Sequence, residues 1–538
     1  MVHRFHDGTK HHFSAFARSL GYLDWASQPN PFRSFDGAPA VVLPPRPDAP
    51  ACAEPIATIG SILRYSLGLS AWKQFQDSRW SLRVNPSSGN LHPTEAYVVC
   101  SRLPRRSADE SDPREGGAAV YHYAPDRHEL EQRCAFDAEA WSRYTGGTDI
   151  VALVALTSIH WRESWKYGER AFRYCQHDLG HAIAAIRIAA AQAGCRASLL
   201  PEWSQKDIAA LIGIDRDEDY VEAEREEPGC LMAVSRASGV GRRESRPLLE
   251  AARGGTWTGR ANQLSENHVA WSFIDEVARA TEDPGRAAPS VPLPDYPRTQ
   301  SPDSSLLLQR RSAVAFDGRT SISAAGFFAI LAATLPSSGP PWDALWWDAR
   351  IHLLLFVHRV DGLEPGLYLL PRNPAAVDRL KTAIGRAFDW SPVVNTPPLV
   401  GLVQGDCRGL AQRLSCNQDI AADGFFSVGM IADFDASLEE FGPSFYRHLF
   451  WESGVVGQAL YLAAEAAGAR GTGIGCFFDD PVHDVLGLKG HAFQSLYHFT
   501  IGMPVEDTRL TTEPGYPWEV KTESCSAGLQ ACQTAGQP

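Results

Sequence analysis

A register of glycines and arginines repeats across this chain. Gly168, Arg173, Gly180, Gly194, Arg196 and Gly213 recur 274 positions later, without a gap, as Gly442, Arg447, Gly454, Gly468, Arg470 and Gly487. Glycine marks backbone positions that other residues occupy poorly, so four glycines kept in one register are structural evidence. The chain reads as two copies of one domain, and two tandem copies can pack as a pseudo-symmetric dimer. A length of 538 residues agrees, because one core seldom serves beyond about 300 residues. A second echo, Pro86-Ser-Ser-Gly89 and Pro336-Ser-Ser-Gly339, has a spacing of 250, so loop lengths changed between the copies.

Local patterns give both copies helices and strands, an α+β composition. Ile56–Ser70 is apolar at helical spacing and predicts a helix running toward the first Pro-Ser-Ser-Gly loop. Ala96–Cys100, Ala118–Tyr123 and Ile150–Ser158 predict strands, the last with the continuous apolar run of a strand covered on both faces. Arg170–Gly194 predicts a long helix ended by Gly194, and Ser204-Gln-Lys-Asp207 a capped helix start. In the second copy, Asp303 or Ser304 can cap a short helix. Ala325–Thr334 and Gly454–Gly468 predict helices, and Ile351–Val357 and Gly366–Leu370 strands. The expected division is a domain over 1–280, a proline-rich linker over 281–300, a second domain over 301–520 and a polar, disordered tail over 521–538.

Composition narrows the function. With a net charge of −13 and no long basic run, nucleic acid and anionic membranes are poor partners. No apolar run is long enough to span a bilayer, and the N-terminus lacks a signal-type core, so a cytoplasmic protein is expected. The 11 cysteines contain no C-x-x-C pair, which points away from a disulfide framework or a zinc site. His3, His6, His11 and His12 lack metal-ligand spacing, and no metal is expected.

The halves differ where chemistry would sit. The first carries Trp165-Lys-Tyr-Gly168, and the same register in the second puts Glu440 and Phe441 in place of Lys166 and Tyr167. The second carries Gly473-Ile-Gly475 where the first has Leu199-Leu-Pro201, and Arg310-Arg-Ser312 lacks a clear counterpart. The Pro-Ser-Ser-Gly turn suits backbone and hydroxyl contacts to an anionic or polar ligand.

These segments resemble the nitroreductase superfamily of flavin enzymes, and more narrowly the SagB-type, ThcOx-like azoline dehydrogenases of azole-modified peptide biosynthesis. The resemblance implies two tandem nitroreductase-like α/β sandwich domains, mainly antiparallel sheet flanked by helices, packed as an intrachain pseudo-dimer, with FMN at the seam. Arg310, Arg311 and Ser312 match the family's opening Arg-Arg-Ser segment, where a guanidinium fork suits the flavin phosphate. Pro86, Ser87, Ser88, Gly89 and Asn90 match the loop that reaches the flavin from the other protomer. Gly473, Ile474 and Gly475 match the strand passing the flavin ring, and Arg509 a late phosphate-binding residue. Lys166 and Tyr167 match the catalytic Lys-Tyr pair.

The implied reaction is an FMN-dependent oxidation of an azoline or other peptide-derived substrate. Lys166 would act as the base or stabilise a developing charge and Tyr167 would assist as proton donor or acceptor, with biosynthetic partner proteins and dioxygen as reoxidant. One site would be complete and its reciprocal degenerate. Two rivals stay open: an NAD(P)H-dependent nitro- or quinone reductase, and a non-catalytic tandem scaffold that binds a peptide or partner protein.

Overall fold

The structure is a computed structural model that describes residues 1–45, 54–104, 117–146, 148–236, 243–287, 296–297 and 302–519. The 521–538 tail and most of the 281–300 linker lie outside the described residues.

Each half is built on one antiparallel sheet. In the first, β1 (Thr94–Ser101), β2 (Ala118–Ala124), β3 (Glu129–Phe136), β4 (Ile150–Ser158), β5 (Arg196–Leu199) and β6 (Glu227–Ser235) lie in the order β3-β2-β1-β4-β6-β5. In the second, β7 (Ile351–Val357), β8 (Gly366–Leu370), β9 (Leu399–Gln404), β10 (Phe426–Asp433), β11 (Arg470–Ile474) and β12 (Phe493–Gly502) lie in the order β9-β8-β7-β10-β12-β11. The two orders are identical strand for strand. The central strands are buried along nearly their whole length, as expected of strands covered on both faces.

A 22-residue helix in each half packs between the sheets: α2 (Ala171–Gln192) and α4 (Phe445–Ala466). They are the same helix at the 274-residue spacing, and nearly every side chain of both is buried. They cross at Gly180 and Gly454. A Cβ on Gly180 would run into the Trp451 carbonyl, and one on Gly454 into the His177 carbonyl. The repeated glycines are therefore where the two backbones meet. Gly194, Gly213, Gly468 and Gly487 serve otherwise, ending elements at φ between +68° and +73°.

Two further helices, α1 (Val2–Gly8) and α3 (Ser272–Ala280), complete the symmetry. Past α1, Thr9 Oγ1 accepts from Arg173 Nε at 2.9 Å, and past α3, Thr281 Oγ1 accepts from Arg447 Nε at 3.0 Å. The His11 N–H meets Asp479 Oδ2 at 2.8 Å, as the Asp283 N–H meets Gln205 Oε1 at 2.9 Å. We therefore take the second copy to open with α3, ahead of the proline-rich stretch at which composition placed the boundary.

The helix expected over Ile56–Ser70 is shorter, Pro55–Arg64, and is followed by a strand, Leu69–Phe75. That strand pairs with Thr511–Pro514 from the far end of the chain, a partner no local pattern announces. Each half thus extends an arm onto the other: α1 over the second sheet, and Thr511–Pro514 onto the first half.

Candidate functional site

The loop entering β1 forms one wall of a cavity at the seam. Three of its residues adopt left-handed backbone: Gly89 (φ 59°), Asn90 (φ 60°) and His92 (φ 52°). Glycine is required at 89, because a Cβ there would lie 2.5 Å from the Tyr167 hydroxyl. The loop is fixed from inside. Ser87 Oγ accepts from the His92 N–H at 2.8 Å, and Asn90 Nδ2 donates to the Ser81 carbonyl at 2.9 Å. The Ser88 N–H and hydroxyl both donate to Asp178 Oδ1 at 3.1 Å, which ties the loop to α2.

The facing wall comes from the second half. Ser312 forms a parallel bridge with Gly471, the Ala313 N–H donates to the Gly471 carbonyl at 3.1 Å, and Thr472 Oγ1 donates to the Ala313 carbonyl at 2.6 Å. The Arg-Arg-Ser segment is thereby clipped onto the edge strand β11. The Tyr461 hydroxyl joins the two, 2.9 Å from Ser312 Oγ and 2.9 Å from the Gly473 nitrogen. A Cβ on Gly473 would overlap the Tyr497 hydroxyl, and one on Gly475 would lie 2.5 Å from the Tyr174 ring. This wall is bare backbone because side chains from behind already fill the space.

Between the walls is a cavity of about 450 Å³. Its ends differ in charge. At one stand Arg310, Arg311, Arg470 and Lys73. Arg310 spends Nε on the Val84 carbonyl at 3.0 Å and Nη2 on the Arg83 carbonyl at 3.1 Å, while its buried Nη1 has no partner. Burial and the neighbouring Arg310 and Arg470 press the Arg311 pKa down to about 10, a shift that a bound anion would reverse. Arg470 pairs with Glu506 at the rim. At the other end are Tyr167, Tyr174, Tyr497, His181 and Asp178. Burial raises Asp178 to about 7, with the donors from Ser87 and Ser88 pulling the other way. Burial, then the charge of Glu163, hold the Tyr167 hydroxyl well above its ordinary value and so protonated. Burial brings His181 down to about 3, leaving a neutral ring whose Nε2 lies 3.3 Å from the Tyr497 hydroxyl.

The reciprocal position is filled. Leu199, Leu200 and Pro201 stand where the other site has Gly473 to Gly475, and with Trp346, His448 and Trp451 they leave about 20 Å³. Glu452, the register-mate of Asp178, is occupied by Arg372, by Trp347 Nε1 at 3.0 Å and by the Ile351 N–H at 3.1 Å. Arg196, the register-mate of Arg470, is held by Asp343 at 2.8 Å.

Of the residues singled out in the sequence, Pro86–Asn90, Tyr167, Arg310–Ser312 and Gly473–Gly475 line the one cavity. Two do not. Lys166 is exposed, with Nζ 5.2 Å from the Tyr167 ring centroid, and lines no part of the wall. Its neighbours Trp165 and Tyr167 face inward, and one step along a helix turns Lys166 to solvent. Arg509 is also exposed, with Nη2 2.8 Å from Asp507 Oδ2, while Asp507 and Leu510 reach the cavity mouth instead. Sequence reasoning missed Asp178, Tyr174 and His181. Their signal was three polar residues at i, i+4 and i+7 spacing on one face of a long helix.

Residues 59–234 match the family model described as Nitroreductase family. The chain carries a nitroreductase-family domain. A crystal structure described as a nitroreductase of Anabaena variabilis superposes with a TM-score of 0.68 at 21% identity, over 94% of this chain and 99% of that one, so the two-copy fold is shared whole. The E. coli microcin synthetase McbBCD complex, with truncated pro-MccB17 bound, matches at 17% identity and a TM-score of 0.29, over 40% of this chain and 77% of that one. A nitroreductase of Ralstonia eutropha matches at 16% identity and a TM-score of 0.28, over 40% and 90%. No protein of curated function matches the chain. Among the described residues no helix is long and apolar enough to cross a membrane, and no cluster of His, Cys, Asp or Glu could hold a metal ion.

Proposed function

We propose that this chain, which carries a nitroreductase-family domain over residues 59–234 and repeats its fold once, is an FMN-dependent dehydrogenase with one working site. The observation that carries this is the polarity of the seam cavity. A buried guanidinium with a free N–H stands at one end, a titratable carboxylate at the other, and glycine backbone between them. The residues fit the cofactor. Arg310 and Arg311, with Ser312, would hold its phosphate, and the Pro86–Asn90 loop and Gly473–Gly475 would flank its ring. FMN supplies the two-electron acceptor.

The chain supplies position and proton handling. With Lys166 outside the wall, Asp178 is the candidate base. It is ionisable near neutrality, and the Ser88 N–H and hydroxyl stabilise the carboxylate when it forms. Tyr167, kept protonated, would donate to a substrate heteroatom. The substrate class follows the SagB-type resemblance: an azoline or another peptide-derived heterocycle, delivered by a biosynthetic partner protein.

The test begins with the absorption spectrum of purified protein and FMN counted per chain, with one expected. An azoline peptide incubated under dioxygen should then lose two hydrogens by mass. A colourless protein that takes up no FMN would leave the scaffold reading. Rapid flavin reduction by NADPH, with no azoline turnover, would leave the reductase reading.

A further inference from the structure

Beside the seam cavity, and unused by the reading above, two cysteines from separate elements approach each other. Cys476 follows β11 and lines the cavity wall, and Cys416 sits in the turn after the helix Arg408–Leu414. Their sulfurs are 2.8 Å apart, inside the contact distance of two non-bonded sulfurs. Cys416 and the next residue, Asn417, both adopt left-handed backbone, at φ 54° and 58°. The turn is held in place by Gln418 Nε2, which donates to the Cys476 carbonyl at 3.1 Å.

The surroundings favour a thiolate. Nδ1 of the buried His11 accepts from the Ala17 N–H at 2.9 Å, so the ring proton sits on Nε2. Burial lowers the pKa of this imidazole, and its ring stands close enough to the Cys476 sulfur to favour the thiolate. Arg170 stands behind, donating to the Gly475 carbonyl at 3.3 Å and to Asp479 at 2.8 Å. The close contact with Cys416, then the His11 ring, pull the Cys476 thiol below its ordinary value against the opposing effect of burial. Cys416 moves upward, as the partner that keeps its proton. Cys100, Cys175 and Cys230 are buried without such donors and are pushed upward by burial. A low-lying, reachable thiol beside a second one is the arrangement of a redox-active pair.

We propose that Cys416 and Cys476 form a redox-active dithiol that a hydroperoxide converts to a disulfide on the cavity wall. The Cys476 sulfur attacks the terminal peroxide oxygen. The O–O bond breaks, the alcohol or water leaves with the proton given up by the thiol, and Cys476 becomes a sulfenic acid. The Cys416 sulfur then attacks the Cys476 sulfur, the S–O bond breaks, and water leaves with the Cys416 proton. The two thiols lose two electrons and two protons, and the peroxide is reduced by two electrons. A dithiol reductant reverses the change. The disulfide would pin the 415–418 turn to the strand that backs the cavity.

The test uses the full chain, first reduced, then exposed to stoichiometric hydrogen peroxide and blocked with a maleimide before digestion. The expected product is one cross-linked peptide pair containing Cys416 and Cys476, two hydrogens lighter than the sum and restored by dithiothreitol. Cys476 should be consumed at least ~10-fold faster than Cys100, Cys175 or Cys230, in line with its larger thiolate fraction. In Cys416→Ser, Cys476 should stop at a sulfenic acid that dimedone traps. In His11→Gln, the pH midpoint for alkylation of Cys476 by iodoacetamide should move upward. Full maleimide labelling of both cysteines after peroxide treatment overturns the proposal. So does oxidation of Cys476 no faster than that of the buried thiols. Neither readout measures flavin binding or turnover, so with the flavin-free chain, failure here and failure of the flavin reading are distinguishable.

Discussion

Asp178 lies on a helix that is otherwise core, and its carboxyl shifts upward because burial outweighs the hydrogen bonds from the Pro86–Asn90 loop. The folded chain therefore holds a proton that the unfolded chain releases above the ordinary carboxylate range. Linkage then requires stability to fall as pH rises from about 4 to about 7, and to level off above that. Asp178→Asn should flatten that difference in melting temperature measured against pH. A base of this kind should also give a rate that rises to a plateau above about pH 7, and the same variant should lose the plateau. A second prediction concerns bare backbone. Gly473→Ala would push a methyl into the Tyr497 hydroxyl, so FMN affinity measured by fluorescence quenching should fall at least ~10-fold, about 1.4 kcal/mol. Arg310→Ala removes a charged donor with a free N–H and should cost ~10–100-fold in the same assay, from ~1.5–3 kcal/mol per charged hydrogen bond. The sequence showed these walls because motif residues recur in fixed order. The structure places Lys166 and Arg509 outside those walls, each near residues that line them. A one-residue step on a helix and a carboxylate two positions away decide such cases, and neither is visible without coordinates.

At the scale of elements, the repeated register turns out to mix two physical requirements. Gly180 and Gly454 are glycines because two helix backbones touch there, whereas Gly442 and Gly468 have open space around a would-be Cβ and need only a left-handed φ. The consequences differ. Gly454→Ala overpacks the crossing of α2 and α4 and should cost ~1–3 kcal/mol, seen as a melting temperature several degrees lower. Gly468→Ala should cost only ~1–2 kcal/mol of backbone strain, without disturbing the crossing. The crossing also positions the site, since Asp178 and His181 flank Gly180. Gly454→Ala should therefore weaken FMN as well, and Gly468→Ala should not. Much of this layer was legible. Ile150–Ser158, Ile351–Val357 and Gly366–Leu370 are strands at the expected bounds, because an apolar run between turn residues is a local signal. The helix expected through Ser70 gives way after Arg64 because Leu69–Phe75 is a strand, paired in a hairpin with Ser78–Arg83 and on its other edge with Thr511–Pro514, more than four hundred residues away.

For the molecule as a whole, pseudo-symmetry makes a controlled experiment available within one chain. Arg470 and Arg196 are the same residue in the two copies, at equivalent ends of equivalent edge strands β11 and β5. Arg470 faces the 450 Å³ cavity beside Arg310 and Arg311. Arg196 is held by Asp343, and the space beyond it is filled by Trp346, His448 and Trp451. If the duplicated fold carried two equal sites, the two arginines would be interchangeable in function. If one site has closed, they must separate. FMN titration of the full chain should saturate at one equivalent. Arg470→Ala should then lower the affinity ~10-fold through loss of one cationic donor. Arg196→Ala should leave the affinity unchanged and cost at most ~1 kcal/mol of stability, because its ion pair is part-exposed. Saturation at two equivalents, or equal loss of affinity in both variants, would mean that the aromatic filling of the second seam opens to admit a ligand. The asymmetry has a physical source. With Leu199, Leu200 and Pro201 where the other seam has glycine backbone, the reciprocal seam has side chains to bury, and Trp346 and Trp451 pack against them.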